Sequence, residues 1–230
     1  MEMVRFGICG TGQFGRSRAK ALKEMQGGQV TLGWSRSEQT RRKFQQELDA
    51  PTVEHWQQLC ESPDVDAVLV CSANVGHFPQ AQAALAAGKH VLVEIPLSMN
   101  AGQARELAGL AAAESLVLHH GLKWRYHPDH PQHIEQIRRV GPLLNGIDHA
   151  SWDFGSARRW NADPSLNAGG RDFLAYFMPR WMEAFGEVSR VTGTQSRTHA
   201  WSSASITMDF SADGYITVSY ATGEGIWGRD

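Results

Sequence analysis

Gly10-Thr11-Gly12-Gln13-Phe14-Gly15 follows the apolar run at residues 4–9 without a break and leads into a stretch of helical composition at 15–25. A GxGxxG between a strand and a helix stands where a dinucleotide fingerprint has to stand. Gly10 permits the tight turn, Gly12 lets backbone approach a pyrophosphate, and Gly15 lets the helix lie close to the strand. The helix N-terminus then turns unpaired amides toward the anion. Taken alone, the six residues also allow a glycine turn with no ligand, and the surrounding pattern is what argues for the fingerprint.

Outward from this loop, apolar runs at 30–34, 67–72, 90–93 and 115–119 alternate with helical stretches at 37–48, 80–87 and 101–113. Asn100 is placed to cap the last of these helices. Alternation of this kind predicts βαβ units around a parallel sheet, a Rossmann arrangement over residues 1–121. After about residue 122 the rhythm changes. Strand-like segments at 146–154, 188–198, 203–210 and 215–221 accompany one helix at 173–185, with Asp213-Gly214 as a hairpin turn, which predicts an α+β second domain over 122–230.

With Lys+Arg 22 against Asp+Glu 24 and a net charge of -2, the chain of 230 residues offers nothing to a polyanion, so no nucleic-acid partner is expected. No apolar stretch approaches the roughly 20 residues that span a bilayer. The N-terminus MEMVRFGICG runs into a strand without a signal-peptide pattern, and the expectation is a cytoplasmic protein that does not engage a membrane. Cys9, Cys60 and Cys71 are an odd count, and two of them lie in apolar strand runs; neither a disulfide nor zinc is suggested.

The end of the second strand bears on the cofactor. Sites for NAD usually place an Asp or Glu there for the ribose 2′-hydroxyl, whereas Trp34-Ser35-Arg36-Ser37 has no carboxylate and supplies an arginine. Arg36 suits a 2′-phosphate, Ser35 and Ser37 add hydroxyls, and Arg41 and Arg42 follow one helical turn later. NADP is therefore favoured, with NAD possible and a merely solvated Arg36 as the alternative.

Two later segments carry a family resemblance. Val70-Cys71-Ser72-Ala73-Asn74-Val75-Gly76-His77 ends one strand, and Gly88-Lys89-His90-Val91-Leu92-Val93-Glu94-Ile95-Pro96 follows one helix later. Here the chain resembles the Gfo/Idh/MocA oxidoreductases, the family of glucose-fructose oxidoreductase and inositol dehydrogenase. The resemblance continues through Gly121-Leu122-Lys123-Trp124-Arg125-Tyr126-His127-Pro128 and, more loosely, from Gly169 to Glu187. It implies a second domain built on an open, mostly antiparallel sheet that often mediates dimerisation, together with hydride transfer to or from a small-molecule substrate. It also implies that Cys71, Ser72, Asn74, His77, Glu94 and Pro96 lie along the nicotinamide half of the cofactor, with Trp124 and Arg125 bordering it.

Departures from the family pattern bear on mechanism. The lysine of the family's Glu-Lys-Pro run, which usually contacts the substrate hydroxyl, is Ile95. The family's Asp and His, four residues apart on a later helix, correspond to Asp172 and Tyr176. Residues so spaced share a helix face, and a tyrosine with a pKa near 10 is a better proton donor than base. Glu-Ile-Pro is also similar to the run in biliverdin reductases, related enzymes whose conjugated substrate accepts hydride at carbon. Against the family the chain is short, ending soon after Tyr220, which leaves a sheet edge and predicts a homodimer through the C-terminal sheet.

Eight tryptophans and the aromatics Trp124, Tyr126, Trp152, Phe154 and Trp160 suit either a flat substrate or the core of a sheet. His119, His120, His127, His130 and His133 form a dense run without the Cys or Glu partners of a metal set, so loop or surface histidines are expected. Arg125, Arg158, Arg159 and Arg171 suit a substrate anion or ordinary surface pairing. Three functions fit these observations. The leading one is an NAD(P)-dependent reductase in which Glu94 and Asn74 position the nicotinamide and Tyr176, Asp172 or His77 handles the proton. The others are a redox-neutral enzyme that retains the cofactor, and a non-catalytic NADP(H)-binding regulator.

Overall fold

The computed structural model describes residues 3–141, 145–153, 171–197, 201–211 and 214–223. They fall into two compact units, Met1–Gly121 and Leu122–Asp230.

The first unit is a six-stranded parallel sheet in the order β3-β2-β1-β4-β5-β6, with β1 Val4–Cys9, β2 Gly28–Trp34, β3 Thr52–Val53, β4 Ala67–Val70, β5 His90–Val93 and β6 Leu118–His120. Between them run α1 Gln13–Glu24, α2 Glu38–Leu48, α3 Trp56–Glu61, α4 His77–Ala86 and α5 Ala101–Ala113. All four residues of β4 are buried, as expected of a central strand covered on both faces. Ile8, Phe44, Leu48 and Leu69 pack in one core cluster, and Val68, Val70, Leu85, Val93 and Leu107 in the other.

Local chemistry sets the helix starts. The Ser37 hydroxyl accepts from Thr40 N at the start of α2, and Asn100 Oδ1 accepts from Gln103 N at 3.0 Å, the cap expected for α5. Gln103 returns the bond to Met99 N at 3.1 Å. The short β3 and α3 have no counterpart in the sequence reading, because two- and six-residue elements are too brief to show a period.

The second unit carries α6 His130–Arg139 and α7 Arg171–Phe185, with a four-stranded sheet in the order β7-β10-β9-β8. Its strands are β7 Asn145–Asp153, β8 Val188–Arg197, β9 Trp201–Phe210 and β10 Tyr215–Gly223. Pairing is antiparallel for β8–β9 and β9–β10 and parallel for β10–β7, so the sheet is mostly antiparallel. Along β9, Ala204, Met208 and Phe210 are buried while Ser203, Ser205 and Thr207 are half-buried on the opposite face. Leu174, Phe177, Met178, Trp181 and Phe185 of α7 cover the apolar face. Phe210 N bonds Gly214 O at 2.8 Å where the β9–β10 connection closes, although Asp213 of the expected turn lies outside the described residues.

Candidate functional site

The fingerprint loop occupies the carboxyl end of β1. Gly10 has φ +103°, and a Cβ there would meet Cys71 C and Ser72 N at 2.5 Å, so only glycine lets this loop lie against the segment that follows β4. Gly15 sits in the first turn of α1, where a Cβ would stand 2.0 Å from Gly10 O. Gly12, at the N-cap of α1, is different: a Cβ there would meet nothing within 4 Å. Internal packing explains the first and third glycines but not the second, which leaves open space in front of the helix N-terminus. Thr11 is fully buried in the loop, and its hydroxyl has no hydrogen-bond partner among the described residues. Open space at Gly12, an unmet hydroxyl and the N-terminus of a helix fit a phosphate group. Gln13 and Phe14 are exposed at the start of α1, and Gly10 N and Thr11 N both donate to Trp34 O, tying the loop to β2.

At the end of β2, Ser35 is half-buried, while Arg36 and Ser37 are exposed. Arg41 Nη1 donates to Ser35 O at 2.6 Å, and Arg42 is paired with Glu38. Arg36 is thus the cation of this turn whose guanidinium takes no partner among the described residues, in a turn without a carboxylate.

After β4, the Cys71 backbone joins Cys9 O and the Ser72 hydroxyl donates to Gln80 Oε1 at 2.8 Å. Burial pushes the Cys71 thiol well above the usual range, which removes it as a nucleophile at neutral pH. Asn74 is buried in the short 3-10 turn Asn74–Gly76. His77, also buried, has Nδ1 at 2.7 Å from Pro96 O and Nε2 at 3.0 Å from Ser72 O. Burial outweighs these two carbonyls and lowers its pKa, so the neutral ring donates to one carbonyl only. Both nitrogens face backbone carbonyls, and His77 ties the post-β4 loop to Pro96, whose peptide with Ile95 is cis.

Glu94, just past β5, has Oε1 at 2.7 Å from Arg18 Nε of α1. This pair joins residues 76 positions apart, and no local pattern in the sequence announces it. At the adjoining end of β6, His120 Nε2 is buried with no partner among the described residues, and burial, then His119 and His77, push its pKa down to about 4. Sequence reasoning assigned the histidine run to loops and surface. His120 departs from that expectation, as does buried His130, whose Nε2 lies 2.9 Å from Glu183 Oε1.

The candidate residues of the first unit therefore converge on the carboxyl ends of β1, β2, β4 and β5, where ligands of open α/β sheets bind. The remaining four belong to the second unit. Trp124 Nε1 donates to Tyr176 O at 2.9 Å, Arg125 Nε lies 3.3 Å from Glu183 Oε2, and Tyr176 stacks edge-on against Phe177. Asp172 belongs to the first turn of α7, and its side chain lies outside the described residues, as do the side chains of Trp152 and Arg171 and the whole of Phe154, Arg158, Arg159 and Trp160. Among the described residues no cluster of three or more His, Cys, Asp or Glu is placed to hold a metal, and no helix is long and apolar enough to cross a membrane.

Comparison with known proteins bears on the family and the fold. The chain is 35% identical over 128 residues to uncharacterized oxidoreductase YdgJ of Escherichia coli, a match covering 54% of this chain and 36% of that protein. It is 35% identical over 135 residues to dTDP-3,4-didehydro-2,6-dideoxy-alpha-D-glucose 3-reductase of Actinomadura kijaniata, covering 58% and 41%. The matches thus span less than half the length of these two relatives. The fold is that of the biliverdin reductase of Synechocystis sp. PCC 6803, solved with biliverdin and NADP+, with a TM-score of 0.85 at 24% identity over 99% of this chain and 74% of that one. The model of the Gfo/Idh/MocA oxidoreductase family, described by its NAD-binding Rossmann fold, matches residues 4–122, which is more than half of the sequence, and the chain belongs to that family.

Proposed function

We propose that this chain is an NAD(P)-dependent oxidoreductase, with NADP preferred, that transfers hydride between the nicotinamide and a small or conjugated organic substrate, reducing a C=C, C=N or C=O bond. The observation that carries the reading is the pairing of the open cradle at Gly12 with the free guanidinium of Arg36 in a turn that lacks a carboxylate. Arg36, with the hydroxyls of Ser35 and Ser37, would hold a 2′-phosphate bidentately, and the Thr11 hydroxyl and α1 amides the pyrophosphate. The bound nicotinamide supplies or accepts the hydride, and the protein supplies placement and a proton route.

In this reading Asn74, Glu94 and Pro96 position the nicotinamide half, with Cys71, Ser72, Trp124 and Arg125 bordering it. Arg18 fixes the Glu94 carboxylate, and His77 acts as a positioning residue for the loop after β4. The proton falls to Tyr176 and Asp172, which share a face of α7. Ile95 offers no ammonium to a sugar hydroxyl, which favours a conjugated carbon or imine over a polyol. Two of the relatives are reductases by name, one of them solved with NADP+, and both lend support to the direction. A cytoplasmic homodimer paired through the second unit's sheet completes the proposal; a monomer by light scattering at working concentration would remove that part.

The test is a tryptophan-quenching titration with NADPH and NADH, followed by matching NADPH consumption to reduced product over a panel of ketones, imines and conjugated alkenes. Arg36→Ala is expected to lose roughly tenfold to a hundredfold in NADPH affinity and nothing in NADH affinity, since a charge-assisted bond is worth about 1.5–3 kcal/mol. Equal binding of the two nucleotides by the wild type would discard the NADP preference. A rearranged product with no net cofactor change would select the redox-neutral enzyme, and binding without any turnover the regulator.

A further inference from the structure

Among the described residues of the first unit, two buried side-chain polar atoms lack a hydrogen-bond partner: Thr11 Oγ1 and His120 Nε2. An unmet buried polar atom costs about 1–3 kcal/mol, and folded proteins satisfy the great majority of them with protein, water or ligand. Both atoms lie at the carboxyl edge of the parallel sheet, Thr11 just beyond β1 and His120 as the last residue of β6. The fingerprint accounts for Thr11. No group among the described residues accounts for His120.

The polar groups around His120 are already engaged. His120 pairs in register with Val93, which sets it beside Glu94 where β5 ends. Gly121, next in the chain, is pressed against Glu94 so closely that a Cβ would lie 3.1 Å from both Glu94 Cα and Oε2. The other carboxylate oxygen of Glu94 is held by Arg18, His77 spans Ser72 O and Pro96 O, Ser72 binds Gln80, and Asn74 has a partner of its own.

The order of groups along the sheet indicates what reaches His120. Following β2-β1-β4-β5-β6, the carboxyl edge presents Arg36, the glycine loop, Asn74, Glu94 and finally His120. A dinucleotide with its 2′-phosphate at Arg36 and its pyrophosphate at the glycine loop would extend its other end toward β5 and β6. His120 lies three strand spacings, about 14 Å, beyond β1. That far end bears a carboxamide, which is neutral and both gives and accepts hydrogen bonds. A neutral imidazole matches it without burying a charge, and the depressed pKa of His120 keeps the ring neutral at pH 7.

We propose that His120 Nε2 hydrogen-bonds the carboxamide of the bound nicotinamide, which makes His120 a cofactor-binding residue that distinguishes nicotinamide nucleotides from those lacking the ring. The inference rests on the dinucleotide reading above. It is tested by calorimetric titration of wild type, His120→Leu and His120→Gln with NADPH and with 2′-phospho-ADP-ribose, which keeps the adenosine and pyrophosphate but has no nicotinamide. His120→Leu is expected to lose roughly tenfold for NADPH and nothing for the truncated nucleotide. His120→Gln, which keeps a donor and an acceptor, retains most of the NADPH affinity. The ring-nitrogen resonances of His120 in the wild type shift with NADPH and stay in place with 2′-phospho-ADP-ribose. Unchanged NADPH affinity in His120→Leu, or an equal loss for both nucleotides, overturns the contact. A wild type that binds neither nucleotide brings down the dinucleotide reading and the contact with it, an outcome distinct from a wild type that binds both while the variant behaves identically.

Discussion

The two units bury their sheets differently, and the difference extends to how each presents functional groups. In Met1–Gly121 helices cover a parallel sheet, and strands such as β4 are apolar on both faces. In Leu122–Asp230 one face of the sheet packs under α7 while the other carries Ser203, Ser205, Thr207, Thr217 and Ser219. The first unit builds its site largely from backbone, through glycine turns, a helix N-terminus and strand ends. In the second unit the proposed groups, Asp172 and Tyr176, are positions of one helix, α7. A site made of backbone is strict about glycine, whereas a site made of side chains depends on how a helix is set.

That contrast is sharpest within the fingerprint itself. Gly15→Ala places a methyl 2.0 Å from Gly10 O, so loop or helix has to move; the expected cost is about 3 kcal/mol or more, a fall in Tm of roughly 6–12 °C, with NADPH binding lost. Gly12→Ala meets no protein atom within 4 Å, and its stability should change by under about 1 kcal/mol while NADPH affinity falls at least tenfold. Thermal melts beside nucleotide titrations separate the two. A Gly12→Ala protein that binds NADPH as tightly as the wild type would leave the open cradle without a ligand.

Legibility follows the same division. The glycine loop, the cap at Asn100 and the strands β1 and β5 are readable because local chemistry dictates each one: a turn only glycine can make, an amide in need of an acceptor, an apolar run of strand length. The start of α6 is obscured by His127-Pro128-Asp129 and by Pro131 inside its first turn, and its charged face hides the apolar one that buries Ile134. Arg18–Glu94 and the unmet nitrogen of His120 exist only once α1 and the strands β1, β4, β5 and β6 are assembled, so no spacing within the chain reveals them.

In the second unit the asymmetry of the sheet is open to direct test. Met208 is fully buried beneath α7, and Met208→Ala should cost about 2–3 kcal/mol. Ser205→Ala, on the opposite face of the same strand, should stay within about 0.5 kcal/mol. Denaturant melts at matched protein concentration measure both. A large loss from Ser205→Ala would mean that the hydroxyl-bearing face is covered, as it would be in a homodimer joined through that face.

Arg18→Met tests whether the first unit's site depends on side chains as well as backbone. The Glu94 side chain is only 14% exposed, and removing its partner leaves a largely buried carboxylate unpaired, at an expected cost of about 1–2 kcal/mol. Adding Glu94→Gln should recover part of that loss in a double-mutant cycle, because the group left unpaired is then neutral. Strictly additive losses would show that the 2.7 Å contact contributes nothing to the fold.

The smallest effect concerns the opposite edge of the parallel sheet. Arg5 of β1 grips Asp66, which precedes β4, through Nε and Nη2 at 3.0 and 2.7 Å, and its backbone amide adds a third bond at 2.9 Å. These bonds hold the Asp66 carboxyl down at about 2, below its value in an unfolded chain. The folded state therefore binds fewer protons than the unfolded state between those two values, and the stabilisation is complete above about pH 5 and lost as pH falls toward 2. Both side chains are more than a third exposed, so solvent screens the pair, and its removal should lower Tm by no more than a few degrees at neutral pH. Asp66→Asn cannot titrate, and its deficit against the wild type should shrink steadily on acidification from pH 5 to pH 2. A deficit that holds constant over that window would show that the carboxylate charge contributes nothing and that the bonds to Arg5 act only through their geometry.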